Sequence, residues 1–427
     1  MRHFADRPQI LSKIAPRGQR DKVVGVLLLH TVTWSECRGS HHPAEPEDPA
    51  EPEAPSSDIC CRKDINIRIY KQTKGDGNMS QSNQADDPHP EAAAAMMRLL
   101  AGAWAARLVH AAAELGIADH LADGSHDAAF IAAATAAHPP SLARLLRALT
   151  AIGVLHESDE RHYSLTPLGA TLRSDRPGSM RAWTLLVFSD DQGRAWEALP
   201  HAIRTGEHAF RHVFGADLWA RLAARPDAAR LFDEAMQSLT QGLNGPLATH
   251  YPFSNYKWIV DVGGGNGALL LPVAARNRDM RVTIFDLPRV ADAARSRIEA
   301  LGLADRCEAV GGDAFITIPS GADAYVLKSV IHDFEDREAV AILRTCRAAM
   351  SGNARLLLIE RLLPERIDPD DPLTRGNFIH DINMFVNPGG RERTAAEFRH
   401  LLAQAGLRLT RIVPMPSPSA VMEVDPA

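Results

Sequence analysis

The stretch WIVDVGGGNGALLL at positions 258–271 constrains the fold of this chain more than any other part of the sequence. An apolar run leads into four glycines within residues 263–267, and an aliphatic run follows them. This order predicts a strand, a tight turn and a helix, which is how a doubly wound α/β sheet presents a nucleotide site. Glycine suits such a turn because a Cβ would block the close approach of backbone and ligand. A turn that binds no ligand is the alternative interpretation of these residues alone.

The residues after this turn alternate between strand-like and helix-like patterns, which predicts a mostly parallel sheet. The predicted strands cover residues 281–285, 307–310, 324–327 and 354–359, and a terminal hairpin covers 408–413 and 420–424. The predicted helices cover residues 290–301, 337–350 and 394–405.

A polar residue follows each of these strands, namely Asp286, Asp313, Lys328 and Glu360. Ligands bind beyond the carboxyl ends of the strands in an open α/β sheet, so we expect these residues to line one site. Asp286 comes about 23 residues after the glycine turn, the spacing at which a carboxylate reaches both hydroxyls of a ribose. The structural alternative for Asp286 is the N-cap of the next helix.

Residues 1–90 differ from the rest of the chain in composition. Residues 41–57 are rich in proline and acidic residues and cannot bury apolar surface, so this extension is predicted to be disordered. Met79 opens a polar lead-in, and we hypothesise that it is the biological start and that residues 1–78 come from an over-long gene prediction. The intact mass of the natively expressed protein tests this hypothesis.

Residues 91–177 have the pattern of a winged helix. Predicted helices at 92–115, 127–137 and 141–152, the last with Ser141 as N-cap, precede strand-like segments at 154–156 and 161–165. The candidate recognition helix carries only Arg144 and Arg147 as basic residues. The net charge of −6 and the pI near 6.3 also give no electrostatic reason to bind nucleic acid, so no such partner is expected.

Residues 178–250 are predicted to be helical and carry many large apolar side chains. These are core residues by default, and a few of them could line a pocket for a flat apolar ligand. They are Trp183, Trp196, Phe210, Phe214, Trp219, Phe232 and Met236. The five cysteines show no disulfide or metal spacing, which favours a cytoplasmic protein, and no apolar run approaches the ~20 residues of a membrane span.

The glycine spacing bears on the choice of cofactor. A nicotinamide-dependent dehydrogenase typically carries G-x-G-x-x-G, whereas this chain has G-G-G-x-G followed by Leu269 and Leu270. The missing third glycine favours S-adenosylmethionine, which has no pyrophosphate to be bound at the helix N-terminus.

Six motifs occur in order: VDVGGGNG, IFDLP, GGDAF, LKSVIHDFED, LIERLLPE and DINMFVNPGGRERTAAEF. With them the chain resembles, over residues 92–425, the plant caffeate/hydroxyindole-type O-methyltransferases and their relatives in bacterial secondary metabolism. The resemblance implies a Rossmann-like class I methyltransferase domain at 251–427, with a mostly parallel seven-stranded sheet and a terminal antiparallel hairpin. A winged-helix dimerisation domain at 91–177 and a helical linker and pocket region at 178–250 would precede it. It further implies S-adenosylmethionine, a small hydroxylated acceptor, a homodimer and no metal.

The resemblance also implies roles for individual residues. His332 matches the catalytic base, and Glu360 and Glu392 match the two acids that bracket its imidazole. The cofactor contacts would be Gly263, Gly264, Gly265, Asp286, Leu287, Asp313, Ala314, Phe315 and Lys328. The acceptor would be contacted by Phe232, Met236, Asp333, Met384 and Asn387. Phe334 stands where the family usually has tryptophan.

These roles agree with the chemistry of methyl transfer. A methyl group on a sulfonium is already activated, so the enzyme needs an in-line approach at about 3 Å and a more nucleophilic oxygen. A histidine whose pKa lies near ~6.5 can take a phenolic proton, and a carboxylate on its other nitrogen fixes the tautomer. Methylation of nitrogen or carbon, another reaction with bound S-adenosylmethionine, a winged-helix regulator that senses it, and a nicotinamide-dependent dehydrogenase remain alternatives.

The segment 391–394, RERT, is expected to serve two purposes. Thr394 suits the N-cap of the following helix, and Glu397 completes a capping box. Glu392 can face the active site from the same segment.

Overall fold

A computed structural model describes residues 90–242 and 247–427. The predicted disorder of the N-terminal extension and the hypothesised start at Met79 lie outside the described residues.

The first four described helices share an apolar core with a small antiparallel sheet. They are α1 (Pro90–Glu114), α2 (Ile117–His120), α3 (Ala128–Ala134) and α4 (Pro139–Ala151), with β1 (His126–Asp127), β2 (Leu155–Glu157) and β3 (His162–Leu165). The strands pair in the order β1-β3-β2. Ile131, Leu146 and Leu149 are fully buried in this core. The predicted helices and the two predicted strands are confirmed, whereas the two-residue strand β1 was not predicted.

Ser141 does not cap α4, and that prediction is wrong. The helix begins two residues earlier, with Pro139 and Pro140 in its first turn. Proline is well placed there because the first N–H groups of a helix have no intrahelical acceptor. Ser141 Oγ lies instead 3.0 Å from Nδ1 of His138. Asp127 precedes α3 and caps it by accepting the N–H of Phe130 at 2.7 Å.

Seven further helices of the described residues lie in the chain between this N-terminal part and the large sheet. They are α5 (Arg181–Val187), α6 (Asp190–Glu197), α7 (Leu199–Thr205), α8 (Ala209–Phe214), α9 (Leu218–Ala224), α10 (Pro226–Gly242) and α11 (Leu247–His250). Phe210 lies in their core, with Trp196, Phe214 and Trp219 packed partly buried against it. The default interpretation of these three aromatic side chains as core residues is therefore confirmed.

The C-terminal part is a mixed sheet with helices on both faces. Its strands are β4 (Trp258–Val262), β5 (Arg281–Asp286), β6 (Cys307–Gly311), β7 (Ala324–Lys328), β8 (Arg355–Leu363), β9 (Arg393–Thr394), β10 (Leu407–Pro414) and β11 (Ser419–Pro426). Its helices are α12 (Leu271–Arg276), α13 (Pro288–Ala300), α14 (Asp336–Ala349), α15 (Pro372–Val386) and α16 (Ala395–Gln404). The main path is β10-β11-β8-β7-β4-β5-β6, and β9 pairs with β8 beside it.

This topology confirms the predicted mostly parallel sheet with an antiparallel hairpin at its end. Strands β4 to β8 pair in parallel, and β10 and β11 are antiparallel. Side chains of β4 alternate between the two faces, with Val260 and Val262 in one apolar core and Ile259 in the other. From β4 the chain builds the sheet toward one edge through β5 and β6, and it then crosses back to place β7 on the other side of β4. Ligands bind at such a switch point.

Three local predictions need correction. The helix after the glycines begins only at Leu271, because residues 268–270 continue the turn. Strand β8 does not end before Glu360 but continues to Leu363, since Leu362 and Leu363 pair with β9. Helix α15 was not predicted at all, although it carries several residues of the site described next.

Candidate active site

The glycine turn after β4 leaves open space at the carboxyl edge of the sheet. Gly263 and Gly265 have φ of +69° and +59°, a region that glycine adopts without the strain of a side chain. A Cβ on Gly263 would lie 2.7 Å from Cγ2 of Val330, so the turn is closed toward the loop after β7. A Cβ on Gly265 would meet no atom of the described residues within 4 Å. A ligand can therefore approach the backbone at Gly265.

Two carboxylates flank this turn. Asp286 accepts the N–H of Gly265 at 2.8 Å and the N–H of Leu287 at 2.7 Å, which fixes its position against the turn. Burial raises the pKa of Asp286, and the two N–H groups oppose that rise. Asp261 is 2% exposed, and its Oδ2 accepts no hydrogen bond from the described residues. Burial raises the pKa of Asp261 to about 7. Because Oδ2 is buried without a partner, a ligand can supply the hydrogen-bond donor that it lacks.

The neighbouring strand ends add exposed apolar side chains. Leu287 is 49% and Phe315 is 42% exposed, and the Phe315 ring meets Phe334 edge to face. Asp313 accepts the N–H of Phe315 at 2.9 Å and fixes this turn, while Ala314 packs against the core. An open glycine turn, an unpartnered buried carboxylate and exposed apolar side chains fit S-adenosylmethionine, with its ammonium, ribose and adenine. We call these residues, from 261–265, 286–287 and 313–315, the cofactor edge.

His332 lies in a single helical turn, Ile331–Asp333, directly after β7. Glu360 Oε1 accepts the N–H groups of Val330 and Ile331 at 3.0 and 2.8 Å and thereby fixes the start of this turn. Glu360 itself is fully buried within β8. Glu360 therefore holds in place the segment that carries the His332 imidazole.

Both predicted acids lie on the same nitrogen of His332. Nδ1 is 2.9 Å from Glu392 Oε1 and 3.5 Å from Glu360 Oε2. The two acids therefore do not bracket the ring from opposite sides as expected, because β8 and the residue just before β9 bring both of them to Nδ1. Nε2 is left for the acceptor, and Asp333 Oδ1 lies 3.6 Å from it. We call His332, Glu360, Glu392 and His380 the base cluster.

The charges of this cluster change the proton affinity of each group. Burial by itself would lower the pKa of His332, but Glu360 and Glu392 outweigh it and raise the pKa to about 10. Burial would raise the pKa of Glu392, yet His332 and His380 lower it to about 2. Burial raises the pKa of Asp333 to about 7. The pKa of His332 is therefore raised above the ordinary histidine value of ~6.5 expected from the sequence.

The loop before α16 is tied firmly to the His332 turn. Arg393 is 1% exposed and donates to the carbonyl oxygens of Ile331 and Phe334 at 3.1 and 2.8 Å. A Cβ on Gly390 would lie 2.1 Å from the carbonyl oxygen of His332, so only glycine allows these backbones to touch. These contacts place Glu392 against the imidazole. The predicted capping box of Thr394 and Glu397 is confirmed beside them.

Sequence reasoning missed two residues of the site, His380 and Arg361. His380 Nδ1 lies 2.8 Å from Glu392 Oε1, the oxygen that His332 also contacts. Burial lowers the pKa of His380. The missed signal is a helical one: polar residues recur at 377, 380, 383 and 387, with the spacing of one helix face. Because α15 was not predicted, this face was not recognised.

A cavity joins the base cluster to the helical region. All five residues predicted to contact the acceptor line it, together with His332 and Lys328. They are Phe232, Met236, Asp333, Met384 and Asn387. Trp183 of α5 and Leu218 of α9 complete an apolar wall, which confirms that part of residues 178–250 lines a pocket. Lys328 is partly buried near Asp261 and Glu360, and burial lowers its pKa.

The fold and the site define a methyltransferase: a sheet with an open glycine turn at its switch point, and a buried base facing a cavity beside that turn. The family model for an O-methyltransferase domain matches residues 196–408, and that for an O-methyltransferase dimerisation domain matches residues 97–175. A phenazine O-methyltransferase of Lysobacter antibioticus is 38% identical over 331 residues, covering 78% of this chain and 95% of that protein. The chain therefore belongs to the family of S-adenosylmethionine-dependent O-methyltransferases.

A solved structure of similar architecture contains both kinds of ligand. It is an O-methyltransferase of neocarzinostatin biosynthesis in complex with S-adenosylmethionine and 2-hydroxy-5-methyl naphthoic acid, with a TM-score of 0.63 and 35% identity. That match covers 75% of this chain and 96% of the other. An 8-amino-8-demethylriboflavin N,N-dimethyltransferase of Streptomyces davaonensis is 34% identical over 342 residues, covering 78% of this chain and 96% of that protein. The relatives of this chain thus include an enzyme that methylates nitrogen.

Proposed function

We propose that this protein transfers the methyl group of S-adenosylmethionine to a hydroxyl of a small aromatic or polyketide-like acceptor, with His332 as general base. The observation that carries the proposal is the His332 imidazole. Its Nδ1 is held by Glu392 at 2.9 Å, while the ring lines a cavity beside the cofactor edge. A base fixed in one tautomer next to an apolar cavity is what a phenolic acceptor requires.

The cofactor supplies an activated methyl group on a positively charged sulfur. The Gly263–Gly264–Gly265 turn and Asp261 would hold its methionine part, and Asp286 its ribose. Leu287, Asp313, Ala314 and Phe315 would surround the adenine. Lys328 extends from this edge into the cavity, where its charge favours a developing oxyanion.

His332 accepts the acceptor proton at Nε2. Glu360 and Glu392 raise the pKa of His332 to about 10 and so increase the affinity of the ring for that proton. Glu392 and Glu360 stabilise the imidazolium that remains when the oxygen has been methylated. Phe232, Met236, Met384 and Asn387 orient the ring of the acceptor, and Asp333 lies beside the reacting oxygen. An in-line approach at about 3 Å follows from fixing both reactants.

No metal takes part in this proposal, because a sulfonium methyl group needs no Lewis acid. Ligand-type atoms of His332, His380 and Glu392 do lie within 4.8 Å of one another. Their Nδ1–Oε1 distances of 2.9 and 2.8 Å are those of hydrogen bonds, to which we assign them. Activity that survives a metal chelator would agree with this assignment, and loss restored by a divalent ion would contradict it.

We further propose that the enzyme is a cytoplasmic homodimer formed through its N-terminal helices. Helix α1 exposes Leu99 and Trp104, which are 73% and 67% accessible, within the segment matched by the dimerisation model. By length and composition alone α1 could also span a membrane. Light scattering of the full chain would give the mass of a monomer if the dimer assignment were wrong.

The proposal is tested with labelled S-adenosylmethionine and a panel of phenols, hydroxyindoles and hydroxylated polyketides. Each phenol is paired with the corresponding aniline, because the relative that methylates nitrogen makes an amine the second candidate. We expect label on the phenols, with the product identified as an O-methyl ether by NMR. Transfer to the anilines alone would establish an N-methyltransferase, and transfer to neither, with the cofactor bound, would refute methyl transfer to small aromatics.

A further inference from the structure

The cavity is also lined by a cation that the proposed mechanism does not use. Arg361 follows Glu360 in β8 and lines the cavity together with His380, Asn383 and Asn387. No carboxylate among the described residues lies within ion-pair distance of its guanidinium. Its one hydrogen bond in the described part of the chain goes from Nη1 to Asn377 Oδ1 at 3.1 Å. Of the five N–H donors of an arginine, most therefore lack a protein partner.

The guanidinium is held in place for a ligand. Asn377 is 7% exposed and donates through Nδ2 to the carbonyl oxygen of Leu362 at 3.2 Å, which turns its Oδ1 toward Arg361. Oε1 of Glu360 accepts from the backbone of residues 330–331 and Oε1 of Glu392 lies against the two histidines, so neither oxygen pairs with Arg361. Burial lowers the pKa of Arg361, and the charges of Glu392 and Glu360 oppose that fall without an ion-pair contact to the guanidinium.

A second polar group that lines the same cavity also lacks a partner. Asn387 is 3% exposed and donates from Nδ2 to Asn383 Oδ1 at 2.8 Å, while its own Oδ1 accepts nothing from the described residues. Asn383 Oδ1 also accepts the indole N–H of Trp196 at 3.3 Å, so this oxygen has two donors. One amide oxygen and one guanidinium thus present groups without a protein partner to a cavity that apolar side chains also line.

We infer that the acceptor is an aromatic anion, with a carboxylate bound by Arg361 and a flat apolar body against Phe232 and Met236. This inference rests on the proposed function for its site and narrows the class of acceptor. A planar guanidinium matches a carboxylate with two parallel hydrogen bonds, which a neutral carboxamide cannot reproduce. The anion would supply the direct ion pair that no described side chain makes with Arg361.

The test compares hydroxybenzoic and hydroxynaphthoic acids with their carboxamides. Binding to the full chain is measured by calorimetry in the presence of S-adenosylhomocysteine, and turnover is measured separately with S-adenosylmethionine. We expect the acid to bind about tenfold more tightly than the amide. Arg361→Gln should abolish that preference and leave amide binding within about threefold. Arg366→Gln, at an exposed arginine five positions later, is the matched control and should change neither.

The outcomes separate this inference from the proposed function. Equal binding of acid and amide by the wild type, or equal weakening of both by Arg361→Gln, overturns the inference even if phenols are methylated. Arg361-dependent binding of acids that are never methylated supports the anion site and refutes the proposed transfer. Arg361→Lys, which keeps the charge but not the planar donors, should retain less than half of the preference if the two-bond contact is correct.

Discussion

The cofactor edge and the base cluster are assembled over different distances in sequence. At the cofactor edge, Asp286 accepts the N–H of Gly265 across 21 residues, and the contact joins two adjacent parallel strands. In the base cluster, His332 meets Glu392 across 60 residues, and Glu360 comes from a third segment. The first region depends on backbone conformation and strand order. The second depends on the packing of loops that belong to separate elements.

This difference determines what each region can tolerate. The cofactor edge uses backbone groups and side chains that any similar turn would present, so its contacts do not depend on one particular set of charges. In the base cluster, the pKa of His332 depends on the positions of Glu360 and Glu392. Substitutions should therefore affect catalysis most strongly in the base cluster and binding most strongly at the cofactor edge.

The largest effect is expected for His332→Ala. Removing the base should lower kcat/KM for the best acceptor about 10³-fold, because proton removal then depends on water. The affinity for S-adenosylmethionine, measured by calorimetry, should stay unchanged, since the imidazole is not part of the cofactor edge. Methylation at the wild-type rate would show that the mechanism is wrong.

A smaller effect with a distinct pH dependence is expected for Glu392→Gln. Activity should rise with pH in the wild type as the proton shared by His332 and acceptor is lost, and the raised pKa of about 10 places that rise in the alkaline range. Without the Glu392 charge the pKa of His332 falls, so the rise should move to lower pH. The alkaline plateau should drop by about 100-fold because the imidazolium is less stabilised.

The control for this change is Thr394→Ala in the same segment. Loss of the N-cap should cost about 1 kcal/mol of unfolding free energy and leave the pH profile in place. Glu392→Gln should instead give a shifted pH profile in a protein that still folds. An unshifted profile in Glu392→Gln would reduce Glu392 to a loop residue.

The smallest effect on turnover, but a clear effect on binding, is expected for Gly265→Ala. A side chain at φ +59° should cost about 1–2 kcal/mol of unfolding free energy and should occupy space that the cofactor needs. Gly302→Ala is the matched control, with φ +64° and equally open surroundings at the end of α13. Both variants should lose similar stability, and only Gly265→Ala should bind S-adenosylmethionine more weakly. Equal affinity in the two variants would place the cofactor away from Gly265.

Much of the fold was predictable because its signals are local. The strand–glycine–helix order at 258–271 and the alternation after it gave the parallel sheet, and Gly116 and Gly406 marked helix ends as predicted. The failures are also local in origin. Helix α15 lacks a regular apolar period, since its apolar and polar residues are distributed around the axis, and Ser141 was outcompeted as a cap by two prolines that start α4 earlier.

The sequence by itself determined the family and the glycine turn, and it singled out His332, Glu360 and Glu392 as candidate site residues. Each of these features lies in a motif of neighbouring residues. Only the tertiary structure decided that both acids meet the same nitrogen, that His380 shares Glu392 with the base, and that Arg361 lines the cavity without a direct ion pair. Hydrogen-bond geometry and mutual charge depend on distances between segments that are far apart in the chain, and no local pattern encodes those distances.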